Sequence, residues 1–573
     1  MKKLLYYMNP FKKEFILGPF FKLIEAILEL FIPIVMAKII DRGIYNKDIP
    51  YIFKMGGVLI LLGGIGLAFA LVCQYYASLA SQGIGTNLRG SLFKHINSLS
   101  HKELDNIGTP TLITRLTNDI NLVQSGFAML IRLGTRSPFI IIGSTIMALS
   151  LDFHLSIIFI ITIPLIVLVI GTIMKKSIPM YKVIQKKLDT ISLITRESVE
   201  GVRVVKAFSK EEAEIKRFDE ANKEFVNKTI GVLKISSLLN PLTSIIMNFA
   251  IVLLLHFGAI RVNSGSLTQG EIIALINYIT QIMLALVVLS QLIIILTKGY
   301  TSFNRVTDIL NIDSTINEDN NAKPLPKADI NPIIEFDNVS FSYDDNNEYA
   351  LKDIDLIINK NENIGIIGGT GSGKSTLVNL IPRFYDPTKG IIKIKGLNIK
   401  ELSIKELRDL IGIVPQKAVL FSGTIRENLE WGKSNPKEEY IKKALNISMS
   451  SEFINSFEDG LDSNVLKGGK NLSGGQKQRL TIARALIKEP DILILDDSLS
   501  ALDFVTDSKL RKALKEDVTN TTIITISQRA SSIKNSDKII VMDNGEIKDI
   551  GSHSYLLENC EIYQEICSSQ NCL

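Results

Sequence analysis

The first half of the chain consists of long apolar runs separated by polar stretches. Residues 155–174 and 272–297 contain no charged side chain over lengths that cross about 30 Å of hydrocarbon as helices. Four further runs have the same character, and charges interrupt the first and third of them: 15–39, 55–79, 130–151 and 242–261. The pattern predicts six membrane-spanning helices.

Basic residues set the orientation of these spans. Four lysines precede the first span: Lys2, Lys3, Lys12 and Lys13. The hairpin LSLDFHLS after the third span has no lysine or arginine, so the positive-inside rule predicts a cytoplasmic N-terminus. Residues 80–129 and 175–241 are polar and basic but keep the apolar spacing of helices. They are predicted to continue the spans as helices into the cytosol.

A change of pattern divides the chain near its middle. Residues 312–332 are polar, contain three prolines and have no periodicity, as expected of a linker. Beyond them, short strand-like runs such as NIGIIG, DILILD and TTIITI alternate with helical stretches, which predicts an α/β domain. The predicted organisation is a six-span α-helical transmembrane domain over 1–311, a linker over 312–332 and an α/β domain over 333–573.

Composition agrees with one domain in a membrane. The chain has 573 residues, 46% of them hydrophobic, which is too long for one core and too apolar for an ordinary soluble protein. The net charge of +5 is small for this length and predicts no nucleic-acid partner. No small-residue cleavage site follows MKKLLYYMNPFKKEF, so no signal peptide is expected. The cysteines lack metal-ligand spacing, which favours a reduced, cytosolic second half: Cys73, Cys560, Cys567 and Cys572.

The segment GGTGSGKST lies where the apolar run NIGIIG turns into a helical stretch. It matches the phosphate-binding pattern GxxxxGK[ST] and comprises Gly368, Gly369, Thr370, Gly371, Ser372, Gly373, Lys374, Ser375 and Thr376. The glycines let backbone N–H groups converge on phosphate oxygens, Lys374 reaches the terminal phosphates, and the Ser375 hydroxyl can bind Mg²⁺. The motif predicts that the α/β domain is a P-loop NTPase domain.

Companion motifs narrow this assignment, because a P-loop alone also fits kinases, GTPases and helicases. LSGGQ stands at Leu472–Gln476, the acidic strand DILILDD ends at Asp497, and SALD ends at Asp503. With these motifs the sequence resembles the ATP-binding cassette (ABC) family, specifically exporter-type half-transporters in which six spans are fused to one cassette. The resemblance covers essentially the whole chain and implies ATP and Mg²⁺ as ligands.

The resemblance also implies roles for individual residues. Tyr343 would stack on adenine, and Gln416 would sense Mg²⁺, which Ser375 and Asp496 would hold. Two cassettes of this family dimerise head to tail, so the signature would complete the partner's ATP site: Leu472, Ser473, Gly474, Gly475 and Gln476. Asp503 would lie at the cassette interface. The structural alternatives are an edge-strand aromatic for Tyr343 and a helix N-cap for Asp503.

Three positions depart from the family's pattern. The residue after the Mg²⁺ aspartate is normally a glutamate that polarises the attacking water; here it is Asp497, one methylene shorter. The switch position, normally histidine, is Gln528, and Lys467 replaces the glutamate that normally precedes the signature. Beside an intact P-loop and LSGGQ, these changes predict the degenerate-site subunit of a heterodimer, with hydrolysis mainly at the partner's site. A homodimer that uses Asp497 as a weak base is the alternative.

The spans offer candidates for substrate contact. Lys22, Glu25 and Glu29 fall on one helical face of the first span. Charges at membrane depth commonly face a cavity or form pairs, so Glu25 and Glu29 are candidates for a substrate-cavity wall. A Lys22–Glu25 ion pair, with Glu29 facing a neighbouring helix, is the alternative. Arg132 and Arg136 are predicted to lie in the cytosolic extension of the third span.

The resemblance implies ATP-driven export by alternating access. The expected substrate is a hydrophobic or amphiphilic drug or lipid, and the expected location is the bacterial cytoplasmic membrane, with the N-terminus and the nucleotide-binding domain in the cytosol. The segments 102–115 and 203–211 resemble the family's coupling segments, which transmit cassette closure to the spans. An exporter-fold importer of a metal chelate and an ATP-regulated sensor are the alternative functions.

Overall fold

The computed structural model of the chain describes residues 6–316, 318, 323–326, 330–343 and 348–570, which form two compact units. The first unit contains the helices before Asp313 except for Ser98–Gly108, and the second contains Ser98–Gly108 together with the α/β region. The predicted linker, Lys2, Lys3 and Cys572 lie wholly or partly outside the described residues. The bounds of the linker and of the two domains stay predictions.

The first unit is helical, and its apolar sequence and helix caps explain where the helices begin. Asp152 accepts a hydrogen bond from the Leu155 backbone N–H, and Thr268 and Glu271 form a reciprocal capping box. The helices up to Leu310, with α3 belonging to the second unit, are α1 Lys12–Lys38, α2 Ile49–Ser98, α3 His101–Ile107, α4 Thr109–Thr114, α5 Ile120–Leu133, α6 Arg136–Leu151, α7 Phe153–Glu200, α8 Val202–Ala207, α9 Glu211–Ser237, α10 Leu239–Asn263 and α11 Gln269–Leu310.

Five helical segments of the described residues are long and apolar enough to cross a membrane. They are Ile49–Ser98, Thr109–Leu151, Phe153–Glu200, Glu211–Asn263 and Gln269–Leu310. These segments contain the last five predicted spans. The helix α1 has 27 residues but carries Lys22, Glu25 and Glu29 in its apolar part, and it is not among the five. The first predicted span, residues 15–39, therefore stays a prediction.

The helix α11 is the packing centre of the first unit. It contacts α1, α5, α6 and α10, and buries sixteen of its residues, including the fully buried Tyr278. The Tyr278 hydroxyl donates a 2.7 Å hydrogen bond to the Leu30 carbonyl oxygen in α1. A buried phenol needs such a partner, because an unpaired hydroxyl in an apolar environment is costly. This bond fixes α1 against α11.

The second unit is built on two main sheets and a short β-ribbon. The six-stranded sheet has the order β12-β11-β3-β10-β9-β6, in which only β12 runs antiparallel to its neighbour, and the antiparallel sheet has the order β2-β1-β4-β5. The strands, with β7 and β8 forming the ribbon, are β1 Ile334–Phe341, β2 Leu351–Ile358, β3 Asn363–Gly368, β4 Lys389–Ile394, β5 Leu397–Asn398, β6 Ile411–Val414, β7 Gly423–Thr424, β8 Asn464–Val465, β9 Ile492–Asp496, β10 Thr522–Ile526, β11 Lys538–Asp543 and β12 Glu546–Gly551.

Helices cover the larger sheet, so its central strands are almost entirely buried. The helices of this region are α12 Lys374–Leu380, α13 Ile404–Asp409, α14 Ile425–Glu430, α15 Glu438–Ile447, α16 Ser451–Asn455, α17 Gly474–Ile487, α18 Phe504–Asp517, α19 Ala530–Ile533, α20 His553–Asn559 and α21 Glu561–Ser569. All residues of β10 and four of five in β9 are buried. Such continuous burial is typical of a parallel sheet with helices on its faces and agrees with the predicted α/β domain.

The register of the parallel strands places three loops at one edge of the sheet. Ile526 at the end of β10 pairs with Asp496 at the end of β9 and with Ile366 near the end of β3. The carboxyl ends of these three strands are therefore level. In open α/β sheets, ligands bind at this edge.

Candidate nucleotide-binding site

The P-loop connects β3 to α12 at this edge, and two glycines shape it. Gly373 is the N-cap of α12 and has φ of +97°, a left-handed conformation that side chains disfavour. At Gly368, a Cβ atom would lie 2.1 Å from the Met542 carbonyl oxygen. Both positions therefore require glycine, and the resulting loop leaves its backbone close to any group that it holds.

Lys374 is 7% exposed and is held inside the loop. Its Nζ donates to the carbonyl oxygens of Gly368 at 2.9 Å and Gly369 at 2.6 Å, and to Ser372 Oγ at 3.2 Å. Burial lowers the pKa of the Lys374 ammonium, although the nearby carboxylates of Asp497 and Asp496 oppose this effect. The ammonium is thus a buried positive charge at the position where the motif places the terminal phosphates.

Ser375 and Asp496 form a pair of oxygen ligands beside Lys374. The Ser375 hydroxyl donates to Asp496 Oδ1 at 2.9 Å. Burial raises the pKa of Asp496, and the bond from Ser375 partly offsets that rise. A hydroxyl and a carboxylate are ligands that Mg²⁺ accepts, and Mg²⁺ usually keeps several waters and binds phosphate oxygens as well. The two residues therefore fit a magnesium ion bound together with a nucleotide.

Asp497 and Gln528, to which the resemblance assigns the hydrolytic and switch positions, follow β9 and β10 at the same edge of the sheet. Asp497 has φ of +44° and its backbone N–H donates to the Ile526 carbonyl oxygen at 3.1 Å. Its Oδ2 lies 3.4 Å from Nε2 of Gln416, whose side chain is exposed. Gln528 follows β10, is exposed, and accepts a 2.7 Å bond from Gln570 through its backbone carbonyl. The fold thus brings Gln416 and Asp497 together at the edge where Gln528 also emerges.

Tyr343 lies beside the end of the P-loop. Its hydroxyl donates to Thr376 Oγ1 at 3.1 Å, and its ring packs edge-on against Phe341 and Tyr385 at centroid distances of 4.8 and 5.2 Å. The residue is 42% exposed, so one part of the ring remains open. An open aromatic ring next to a phosphate loop can stack on a base, and the adenine role that the resemblance implies stays a prediction.

The signature residues begin a helix, and their conformation follows from its cap. Ser473 is the N-cap of α17: its Oγ accepts from the Gln476 N–H at 3.2 Å, and its own N–H donates to Gln476 Oε1 at 2.8 Å. Leu472 is buried, whereas Ser473 and Gly474 are exposed and Gly475 is half-buried. The capping box therefore presents the start of α17 outwards, where an anion is favoured.

Asp503 is the N-cap of α18, as its structural alternative predicted. Its carboxylate accepts from the Thr506 N–H at 2.9 Å, and this bond holds the pKa of Asp503 below its ordinary value. The side chain is exposed, which leaves the predicted interface role open as a prediction. Lys467, which replaces a glutamate in the family's pattern, lies in an exposed turn before the signature.

The second unit also contains a contact that sequence reasoning missed. The helix α3 packs on the two aromatic residues after α12: the Tyr385 hydroxyl donates to Asp105 Oδ2 at 2.7 Å, and the His101 ring stacks on Phe384 at 4.4 Å. Burial lowers the pKa of His101, and Arg408 beside Phe384 lowers it further. The adjacent aromatic pair in RFYDP is the signal that could have indicated a docking site for another segment.

The charged residues of α1 are paired within the first unit. Lys22 and Glu25 form an ion pair at 2.7 Å, as the structural alternative predicted. Glu29 pairs with Arg136 of α6 at 2.8 Å, and both side chains are less than one third exposed. The structure thus places Glu29 against a neighbouring helix, and the assignment of Glu25 and Glu29 to a substrate-cavity wall stays a prediction.

Comparison with known proteins agrees with this geometry. The pattern of the ABC transporter transmembrane region matches residues 15–286, and that of the ABC transporter family matches residues 351–500. An uncharacterized ABC transporter ATP-binding protein of Bacillus subtilis, YfiB, is 35% identical over 100% of this chain and 98% of its own length. Rv1273c of Mycobacterium tuberculosis, also uncharacterized, is 32% identical over 99% of this chain and 97% of its own.

A solved structure shares the fold along the whole chain. A bacterial Atm1-family ABC exporter with ATP bound superposes with a TM-score of 0.81 over 98% of each chain, at 24% sequence identity. Membrane helices and a cassette in one chain, together with these relatives, fix the protein's class. The chain belongs to the ABC transporter family, with a multi-pass membrane region and a cytoplasmic ATPase domain in one chain, and its fold is that of an ABC exporter.

Proposed function

We propose that this chain is one subunit of a heterodimeric ABC exporter whose own ATP site binds ATP and Mg²⁺ but hydrolyses ATP poorly. The partner is a second half-transporter with a hydrolysis-competent site. Together they move a hydrophobic or amphiphilic drug or lipid across the bacterial cytoplasmic membrane. One observation carries the proposal: Asp497 and Gln528 replace the hydrolytic glutamate and histidine beside a complete phosphate cradle. This cradle consists of the P-loop with Lys374 and Ser375, together with Asp496.

The carboxylate of Asp497 is too short for the role of the family's glutamate. A general base must come within hydrogen-bond reach of the proton that it accepts, and this assistance typically contributes about 10²- to 10⁴-fold in rate. Asp497 is one methylene shorter than glutamate, and its backbone is fixed by the bond to Ile526 at 3.1 Å. The backbone therefore does not advance to compensate for the lost methylene.

Replacement of histidine by Gln528 at the switch position removes an ionisable side chain and changes the shape of the group that faces the phosphate. A histidine there can become an imidazolium and stabilise negative charge on the γ-phosphate, whereas Gln528 offers only a neutral amide. Gln528 can still donate one hydrogen bond to a phosphate oxygen. Binding of ATP is thus retained, while the stabilisation of developing charge during hydrolysis is reduced.

The remaining residues of the site have binding roles in this proposal. Lys374 neutralises the terminal phosphates, and Ser375 and Asp496 hold Mg²⁺. ATP, when bound, supplies the phosphates that join one cassette to the other. Ser473 and Gly474, both exposed, and the half-buried Gly475 complete the partner's site from the start of α17. The chain thereby contributes to hydrolysis on the partner's P-loop more than on its own.

The contact of α3 with Phe384 and Tyr385 supports a coupling role for the segment 102–115. Tyr385 touches the ring of Tyr343 on one side, at 5.2 Å between centroids, and bonds Asp105 on the other. A ligand on Tyr343 is therefore two contacts away from α3. In this proposal, closure of the cassettes moves α3, and α3 transmits the movement to the spans as rigid-body rocking.

The proposal is tested by Mg²⁺-dependent ATP hydrolysis of the purified chain alone in lipid, with Asp497→Asn as control. We expect ATP to bind with negligible turnover. Adding a partner subunit with glutamate and histidine at the matching positions should then restore activity. Robust turnover that Asp497→Asn abolishes would instead mean a homodimer in which aspartate suffices as base, and the asymmetric-site proposal would be wrong.

A further inference from the structure

A cavity of the second unit lies between α18, α19 and the central sheet. Its volume is about 440 Å³, within the range of small-molecule sites. The apolar floor includes Leu495, Leu499 and Ile523, which belong to the core beneath the sheet. The residues that line this cavity include none of the P-loop or signature. It is therefore separate from the candidate ATP site.

The rim of this cavity carries positive charge without negative charge. Four cations line it, and the lining contains no aspartate or glutamate: Arg511, Lys512, Lys515 and Lys534. Lys512 approaches Glu516 only at 3.8 Å, and both side chains are highly exposed. Within the described part of the chain, the side-chain ammonium groups of Lys515 and Lys534 have neither an ion pair nor a hydrogen bond. The rim thus has at least two uncompensated charges.

Arg511 is held rigidly at the wall of the cavity. Its Nη1 donates to the Ser531 carbonyl oxygen at 2.6 Å, and its Nη2 donates to Asp507 Oδ2 at 2.9 Å. The bond to Ser531 joins α18 to α19, whereas the bond to Asp507 lies within α18. The Nε atom of the same guanidinium is buried and has no hydrogen-bond partner among the described residues. The Oδ1 atom of Asp507 is likewise buried without a partner, so this ion pair leaves one donor and one acceptor unpaired among the described residues.

We infer that this cavity binds a small molecule that carries phosphate groups, at a site distinct from the P-loop. Phosphate oxygens are suitable acceptors for a fixed guanidinium, and lysines at the rim add point charges. Ser531 and Ser532 also line this cavity. The apolar floor leaves room for the non-ionic part of such a molecule.

Inorganic pyrophosphate is the probe for the first test. The full-length chain is reconstituted in zwitterionic lipid and carries Lys374→Ala, which removes the main phosphate contact of the P-loop. Pyrophosphate is then titrated by calorimetry without Mg²⁺. We expect saturable binding at one site, weakened about tenfold or more by adding Lys515→Gln and Lys534→Gln, because each removes a charge-assisted contact.

The matched control removes two positive charges elsewhere on the same domain. Lys437→Gln and Lys442→Gln change exposed lysines outside the cavity and should leave pyrophosphate affinity unchanged. Arg511 is not chosen for substitution, because it also holds the buried Asp507. If both double variants melt at the same temperature as the Lys374→Ala chain, neither change disturbs the fold.

Amide hydrogen exchange locates the bound probe independently. Pyrophosphate should slow exchange in α18 and in residues 530–536, and the Lys515/Lys534 variant should abolish this protection. Three outcomes would overturn the inference: no saturable binding in the Lys374→Ala chain, equal loss in both double variants, or protection confined to the P-loop. The inference would also be wrong if the Lys515/Lys534 variant bound a partner protein more weakly but bound pyrophosphate as before. The occupant would then be an acidic protein surface.

Discussion

The phosphate cradle and the hydrolysis positions lie at the same edge of one sheet, yet they differ in how firmly their side chains are held. In the cradle, the Lys374 ammonium has three partners within 3.2 Å and Ser375 bonds Asp496 at 2.9 Å. At the hydrolysis positions, Asp497 has one 3.4 Å contact with an exposed glutamine, and Gln528 is exposed. The difference supports the proposal that this chain keeps its ATP-binding groups while the groups for hydrolysis have changed.

The physical reason is that the two regions depend on different parts of the chain. Lys374 and Ser375 are positioned by the strained loop of Gly368 and Gly373, whose conformation follows from backbone and sterics. Asp497 and Gln528 depend on the reach and charge of a single side chain at the end of a fixed strand. A change of one methylene or one ring there alters the chemistry without altering the fold.

The strongest way to break this comparison is to restore the hydrolysis positions. Asp497→Glu with Gln528→His returns the longer base and the ionisable switch, and we expect ATP turnover of the chain alone to rise about 10²-fold. Steady-state phosphate release in lipid measures this, with Asp497→Asn and Gln528→His as the matched control. An unchanged rate in the restored chain would show that something other than these side chains limits hydrolysis.

The cradle side of the comparison is tested through ATP affinity. Lys374→Ala removes a buried charge that meets the phosphates, and hydrogen bonds to charged groups contribute about 1.5–3 kcal/mol. We therefore expect the ATP dissociation constant to rise about 10- to 100-fold. Asp497→Ala should change it far less. Equilibrium binding of a fluorescent ATP analogue measures both, with Lys442→Ala as the control for a lost exposed lysine; similar effects of Lys374→Ala and Asp497→Ala would contradict the division.

The contact of α3 sharpens the comparison at a distance from the phosphates. Tyr385→Phe removes one hydrogen bond to Asp105 and keeps the ring packing, at a cost of about 0.5–1.5 kcal/mol. Burial raises the pKa of Tyr385, so its phenol remains a donor throughout the neutral range. We expect faster amide exchange in residues 101–107 with ATP affinity unchanged. Asp105→Asn, which keeps an acceptor oxygen, should show a smaller effect, and unaltered exchange in Tyr385→Phe would exclude the bond as the anchor of α3.

Sequence patterns predicted the class of fold and the phosphate cradle because both depend on local rules. The glycine spacing of the P-loop, the buried runs of β3 and β9, and the uncharged spans are readable without tertiary contacts. The pairing of Glu29 with Arg136 and the docking of α3 on Phe384 and Tyr385 join residues more than a hundred positions apart. No periodicity or motif spacing reports such contacts, because they are set by how the helices pack.

Length and composition identify five membrane-spanning segments but not the helix α1. The helix α1 is continuous like the others, but the three charged residues in its apolar part separate it from the five segments that are apolar enough by composition. These three are paired, Lys22 with Glu25 and Glu29 with a residue of α6. A sequence shows the cost of a charge in an apolar run but not the partner that offsets it.

The smallest expected effect concerns the stability of the cradle without its ligands. Burial raises the folded-state pKa of Asp496 above its ordinary value of 3.8, so the ionised carboxylate is less stable in the folded protein than in the unfolded chain. The free energy of unfolding that this group contributes is therefore present at acidic pH and is lost as pH rises through the folded-state pKa.

Asp496→Asn should accordingly raise the melting temperature of the ligand-free chain by a few degrees at neutral pH, and less as the pH approaches about 4. Asparagine keeps an acceptor for the Ser375 hydroxyl, so the 2.9 Å bond is retained. The same change should abolish the further stabilisation that Mg²⁺ adds to ATP, since a neutral amide is a poor ligand for this ion. Thermal unfolding in chelator and in Mg²⁺-ATP separates the two effects. A lower melting temperature of Asp496→Asn in chelator at neutral pH would mean that the carboxylate supports the cradle by itself.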